Sequence, residues 1–141
     1  MDQAMRQAPD AISLWRKKAE ALQTIYQLTL EQSKACAEED TERLSRLLKQ
    51  RQSWMDQVDT LDAWITALNT PETGRTAAFE EEAAELIKKI QQADTYNRSI
   101  AAEKMQEIKA GIRDNSKMRQ GMRSYIQGGA LADGMYFDTK K

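Results

Sequence analysis

The sequence predicts an all-α protein, an antiparallel helical hairpin with a long third helix laid against it. Three observations point there. Ala, Glu, Lys, Gln, Arg and Leu dominate and proline occurs only twice, the composition of long helices or coiled coil. Apolar residues return every three or four positions over three long stretches, which is the helical period. Turn-forming residues are confined to a few places, around Asp40, across 69–74 and at Gly128-Gly129.

Residues 1–9 are polar and end in Pro9, and are expected to form a disordered lead. Asp10 is a candidate N-cap for a first helix running to about Glu38. Its apolar or small stripe is Ile12, Trp15, Ala19, Leu22, Tyr26, Thr29, Ser33 and Cys36. Asp40-Thr41-Glu42 supplies a second cap and an acidic first turn, and the next helix runs to about Leu68. Its stripe is Leu44, Leu47, Arg51, Trp54, Val58, Leu61, Ile65 and Leu68.

The two stripes mirror each other about Asp40. Ile12 and Leu68, Trp15 and Ile65, Leu22 and Val58, Cys36 and Leu44 are each equidistant from it. Helices folded back at Asp40 therefore meet layer by layer. Arg51, opposite Thr29, puts a charge on this seam, and is expected to snorkel outward or to find a carboxylate such as Glu31. Cys36, on the apolar face, reads as a buried and inert thiol.

The third helix is expected from about Thr76 to Gln127, and as the longest element it is the one the other two should be organised around. About 50 residues at 1.5 Å each make a rod of about 75 Å. Run back beside the second helix, it places Lys104 near Leu44, so everything from about Ile108 onward projects past the hairpin turn. Gly111 and the following Asp114, Asn115 and Ser116 offer a place to break the rod into a fourth helix. Met105, Ile108, Ile112, Met118, Met122, Tyr125 and Ile126 form an apolar row there, flanked by Lys109 and Arg113. Unpaired rows of this size are rarely left in water, and flexible methionines suit variable partners, so this is the candidate partner-binding surface. Core filling or a homodimer seam is the alternative. Residues 10–127 thus make one helical domain, and 128–141 a mobile tail whose Tyr136 and Phe137 can fold back over the same groove or bind elsewhere.

Catalysis is not expected. The chain has no histidine, which removes the commonest general base and the commonest transition-metal ligand. A lone cysteine cannot hold zinc, and no phosphate-cradling glycine loop exists, so neither a metal nor a cofactor is predicted. The formal net charge is -1, against a general nucleic-acid binder. Between Lys104 and Arg123 six positive residues face two negative ones, but without an aromatic residue to stack bases. No run of 18 apolar residues and no apolar signal segment occurs, so membrane insertion is not predicted. With a free thiol, these features make the cytoplasm the expected location.

Three places carry a resemblance to a known family. They are Asp40-Thr41-Glu42-Arg43-Leu44 with Leu47, Leu48, Arg51, Val58 and Leu61-Asp62; Ile90, Asp94 and Asn97; and Tyr125-Ile126 followed by Ala132-Asp133-Gly134-Met135-Tyr136-Phe137-Asp138-Thr139-Lys140-Lys141. Together they resemble the flagellar type III export chaperones, in particular the FliT-like group that serves the filament-cap protein. The polar stretch Asp94-Thr95-Tyr96-Asn97-Arg98 is also similar to the FlgN-like chaperones of the hook–filament junction proteins. The resemblance implies a non-enzymatic cytoplasmic protein that binds the C-terminal segment of its cargo, prevents premature assembly, and meets the export gate and ATPase complex. It also implies a C-terminal region able to occupy the binding face. A plain homodimeric coiled-coil scaffold is the reading outside that family.

Overall fold

The computed structural model describes residues 10–68, 74–110, 119–123 and 126. Three long helices dominate them: α1 Ala11–Ala37, α2 Thr41–Leu68 and α3 Gly74–Lys109. No described residue is in a strand. The 1–9 lead and the 128–141 tail lie outside the described residues.

The caps explain where the helices begin and turn. The Asp10 carboxylate accepts the Ser13 amide at 2.7 Å, satisfying a donor that the first turn of α1 leaves open. At the other end, the Asp40 amide donates to the Ala35 carbonyl at 2.9 Å and the Glu39 amide to Cys36 at 3.1 Å. This is a Schellman stop, and it puts Glu39 at φ 59°, a left-handed conformation that costs a residue with a Cβ about 1–2 kcal/mol. The Lys104 ammonium, 3.1 Å from the Glu39 carboxylate, holds that turn against α3. Asp40 then caps α2 by accepting the Arg43 amide at 3.1 Å. One aspartate thus ends one helix and starts the next.

The organising element is α1, not the long third helix. It packs along both α2 and α3, whereas α2 and α3 make little backbone contact with each other. α1 accordingly buries two rows. Ala19, Leu22, Thr29 and Cys36 belong to the expected stripe, and Leu14, Lys18, Ala21, Ile25, Gln32 and Ala35 form a second one. The hairpin pairing shows in the packing: Leu22 and Val58 share one apolar cluster, Cys36 and Leu44 another.

α3 stops at Lys109, with Ala110 in a turn, so it is not one rod to Gln127. Residues 119–123 are helical again. They lie against the start of α2, since a Cβ on Gly121 would come within 2.9 Å of Thr41 Cγ2. Such an approach requires glycine. Ile108 and Met122, from the expected overhang, are therefore buried within the chain itself.

The core falls into two parts along the bundle. The open-end cluster is built from Ala21, Leu22, Ile25, Met55, Val58, Ala83, Leu86, Ile87 and Ile90. The turn-end cluster is built from Ala35, Cys36, Leu44, Leu47, Ala101, Met105, Ile108 and Met122. Between them lies a polar layer. Arg51 stays inside, 3% exposed, and its two terminal nitrogens donate to the Asp94 carboxylate at 2.6 and 2.5 Å. Its partner is thus Asp94 of α3, and the nearby Glu31 is instead approached by Arg43 at 3.9 Å. Arg51 also donates to Gln32 Oε1 at 3.2 Å. Asn97 donates to the Thr29 carbonyl at 3.0 Å and is hydrogen-bonded to the Ser33 hydroxyl.

Candidate partner-docking surface at the hairpin turn

The turn end is built from three sources. The Schellman stop brings Ala35 and Cys36 of α1 over Leu44 and Leu47 of α2. α3 adds Ala101, Met105 and Ile108 from successive turns of its buried face. Met122 then closes the top, 0% exposed, with Ile126 half-buried beside it. Burial pushes the Cys36 thiol up to about 11, so it stays protonated and unreactive at neutral pH.

The seal is shallow. A groove of about 320 Å³ runs between Thr41, Glu42, Leu44, Ser45 and Leu48 on α2 and Gln120 and Gly121 on the returning segment. Its polar walls, Glu42, Ser45 and Gln120, are exposed.

The expected site residues divide as follows. Met105, Ile108 and Met122 are buried at 8%, 3% and 0% exposure, so they are not the free apolar row that the spacing suggested. They are brought together, against each other and the hairpin turn. Ile126 is half-buried at the same cluster and Lys109 is exposed. Ile112, Arg113, Met118, Tyr125, Tyr136 and Phe137 lie outside the described residues. Sequence reasoning missed the floor (Ala35, Leu44, Leu48) and the close approach at Gly121. The signal for the floor was present in the pairing of Cys36 with Leu44.

A second groove, about 510 Å³, lies between α1 and α2 nearer the open end, with Lys17, Glu20, Thr24, Trp54, Gln57 and Leu61 among its walls. α2 was expected to be sealed to its end. Instead Val58 is its last buried residue, and Trp64 and Leu68 are 50% and 36% exposed. α3 supplies little cover there, its Phe79 being itself only half-buried. Lys18 of α1 is buried at this end, paired with Asp62 at 2.7 Å and lying 4.9 Å from the Trp15 ring centre. Burial, then the neighbouring Asp62 and Asp56 carboxylates, hold Asp59 above its ordinary value.

Among the described residues no group of three His, Cys, Asp or Glu side chains could hold a metal ion. No described helix is long and apolar enough to cross a membrane. The site offers an apolar floor, a thin helical cover and a polar rim. That combination has the features that a helix-in-groove contact uses, and sets the chain in the class of all-helical bundles.

The sequence narrows this class. The chain belongs to the family described as flagellar protein FliT, whose pattern it matches over residues 19–127. The match takes in the turn-end cluster and the returning segment. FliT proteins are a family of flagellar export chaperones. No curated protein and no solved structure matches the chain.

Proposed function

We propose that the chain is a cytoplasmic chaperone for the filament-cap protein, holding its C-terminal helical segment until export. The cargo helix docks on the turn-end floor where residues 119–123 now lie, with Lys109 and, from its place in the sequence, Arg113 as its charged contacts. Binding withholds the segment from premature assembly, and the complex is handed to the export gate and its ATPase. The observation that supports this is the complete burial of Met122, from a short described segment, in one apolar cluster with residues of all three helices, a contact that an amphipathic helix can reproduce.

In this reading Met105, Ile108, Met122 and Ile126 serve twice, as core in the closed chain and as contacts or displaced cover in the complex. Tyr136 and Phe137 compete for the same floor. The test is titration of the C-terminal segment of the cap protein into the full chain and into a chain lacking 128–141. Affinity is expected to rise or to stay unchanged on truncation, and a clear loss would reject tail competition. Junction proteins titrated in parallel are expected to bind more weakly, in keeping with the family match. Sedimentation over a concentration range separates both readings from a homodimeric scaffold, which would dimerise tightly and ignore either cargo.

A further inference from the structure

A polar layer crosses the bundle between its two apolar clusters. Its six members, Thr29, Gln32, Ser33, Arg51, Asp94 and Asn97, occupy the level where α1, α2 and α3 would otherwise continue one core. Its members span about one helical turn on α1, from Thr29 to Ser33, and about one on α3, from Asp94 to Asn97. The buried members of the open-end cluster stop at Ile25 and Ile90 and those of the turn-end cluster start at Ala35 and Ala101, with half-buried Leu28 and Ile100 packed against the latter.

We infer that this layer is a stop, confining the opening of the bundle to its turn end so that residues 119–126 can leave without loosening the open-end core. Close-packed apolar side chains pass strain to their neighbours. A buried ion pair does not yield in the same graded way, because drawing its partners apart inside the bundle leaves each charge uncompensated in the interior. Here the pair is also a tie. Gln32, Arg51 and Asp94 join one residue from each helix, and Asn97 ties α3 to α1 a second time through the Thr29 carbonyl.

The same level contains a soft place in α1. The Thr29 hydroxyl donates back to the Ile25 carbonyl at 2.7 Å, a bond that slightly weakens and bends helices. With its carbonyl also engaged by Asn97, Thr29 is where the turn-end third of α1 can flex relative to the rest. Met122 belongs to the turn-end cluster with Ala35, Leu44 and Met105, and none of the tied polar groups is a member of that cluster. The inference rests on the reading of 119–126 as a displaceable cover, and extends it to how far displacement is felt.

Hydrogen exchange on the full chain tests it, with Met122→Asp to lift the segment. Amides of 35–48 and 100–108 are expected to exchange at least tenfold faster than in the parent, while those of 14–25, 55–58 and 83–90 stay within about twofold. Placing Met122→Asp on an Arg51→Met/Asp94→Leu background, and comparing it with that background alone, is expected to spread the acceleration into the open-end segments. Arg51→Lys, which keeps the charge but loses the two-pronged bond, serves if the apolar pair does not fold and is expected to spread it likewise. Equal acceleration of both ends in the parent background overturns the inference, as does confinement that survives loss of the layer. Exchange reports this whether or not cargo binds. Tight cargo binding with uniform acceleration would reject the stop alone, and confinement without cargo binding would reject the docking site alone.

Discussion

The two halves of the core have similar contents and different closures. At the open end the cluster is made by neighbouring stretches of three helices, and it fades outward into half-buried Trp15 and Ile65 and exposed Trp64. At the turn end a fourth piece of chain, arriving from beyond α3, brings the apolar surface to zero exposure at Met122. Among the described residues, the open end is built from its three helices alone. The turn end is finished by a part that is separate from the floor it covers. A surface made in that way can exist in two states, covered by its own chain or by another, and the difference between the ends is a reason to place binding at the turn.

The sharpest way to break the comparison is at the boundary. Asp94→Ala takes the two-pronged carboxylate from a buried guanidinium, and should cost about 3–5 kcal/mol, seen as a fall in the denaturation midpoint with both clusters affected. A loss within the range of surface substitutions would mean that the layer is solvated and does not divide the core.

Next in size is Gly121→Ala. Its Cβ would stand 2.9 Å from Thr41 Cγ2, so the cover must shift or lift, weakening closure by about 1–3 kcal/mol. The expected result is tighter cargo binding with little change in the unfolding midpoint of α1 and α2. A lower midpoint with unchanged cargo affinity would make 119–126 an ordinary part of the core.

How much of this could be read beforehand follows from the range of each interaction. Asp10 and Asp40 were legible as caps because a cap is settled within three or four residues. The pairing of Leu22 with Val58 and Cys36 with Leu44 was legible because one turn fixes the register of a hairpin. The second buried row of α1, with Leu14, Ile25 and Ala35, was not, since a single stripe reports one partner and α1 has two. Arg51 stood out as a charge on the seam, yet its carboxylate is 43 residues away on another helix. At the candidate site, spacing identified Met105, Ile108 and Met122 as apolar. It could not say that the chain covers them itself, because periodicity marks a face and not its occupant.

The smallest expected effect belongs to the open end. Asp59 holds its proton more tightly in the folded chain than in the unfolded one, by burial and by repulsion from Asp62 and Asp56. Its contribution is therefore favourable only below the ordinary aspartate range and is lost as pH rises through the folded value. Asp59→Asn should raise the unfolding midpoint slightly at pH 7, less at high salt, and not at all once the medium is acidified below about pH 3.9. A gain that persists in acid would assign the effect to packing.

The central claim is that residues 119–126 and the cargo helix use one floor in turn. Ser45 and Gln120 face each other across the 320 Å³ groove, and the native Cys36 is buried and protonated, so Ser45→Cys/Gln120→Cys can be bridged selectively by a short bis-maleimide. The measurement is the affinity of the C-terminal segment of the cap protein for the bridged chain and for the same variant left unbridged. The account predicts that bridging abolishes binding while the unbridged variant binds as the parent does. Equal affinity in the bridged and unbridged chains would show that cargo docks elsewhere.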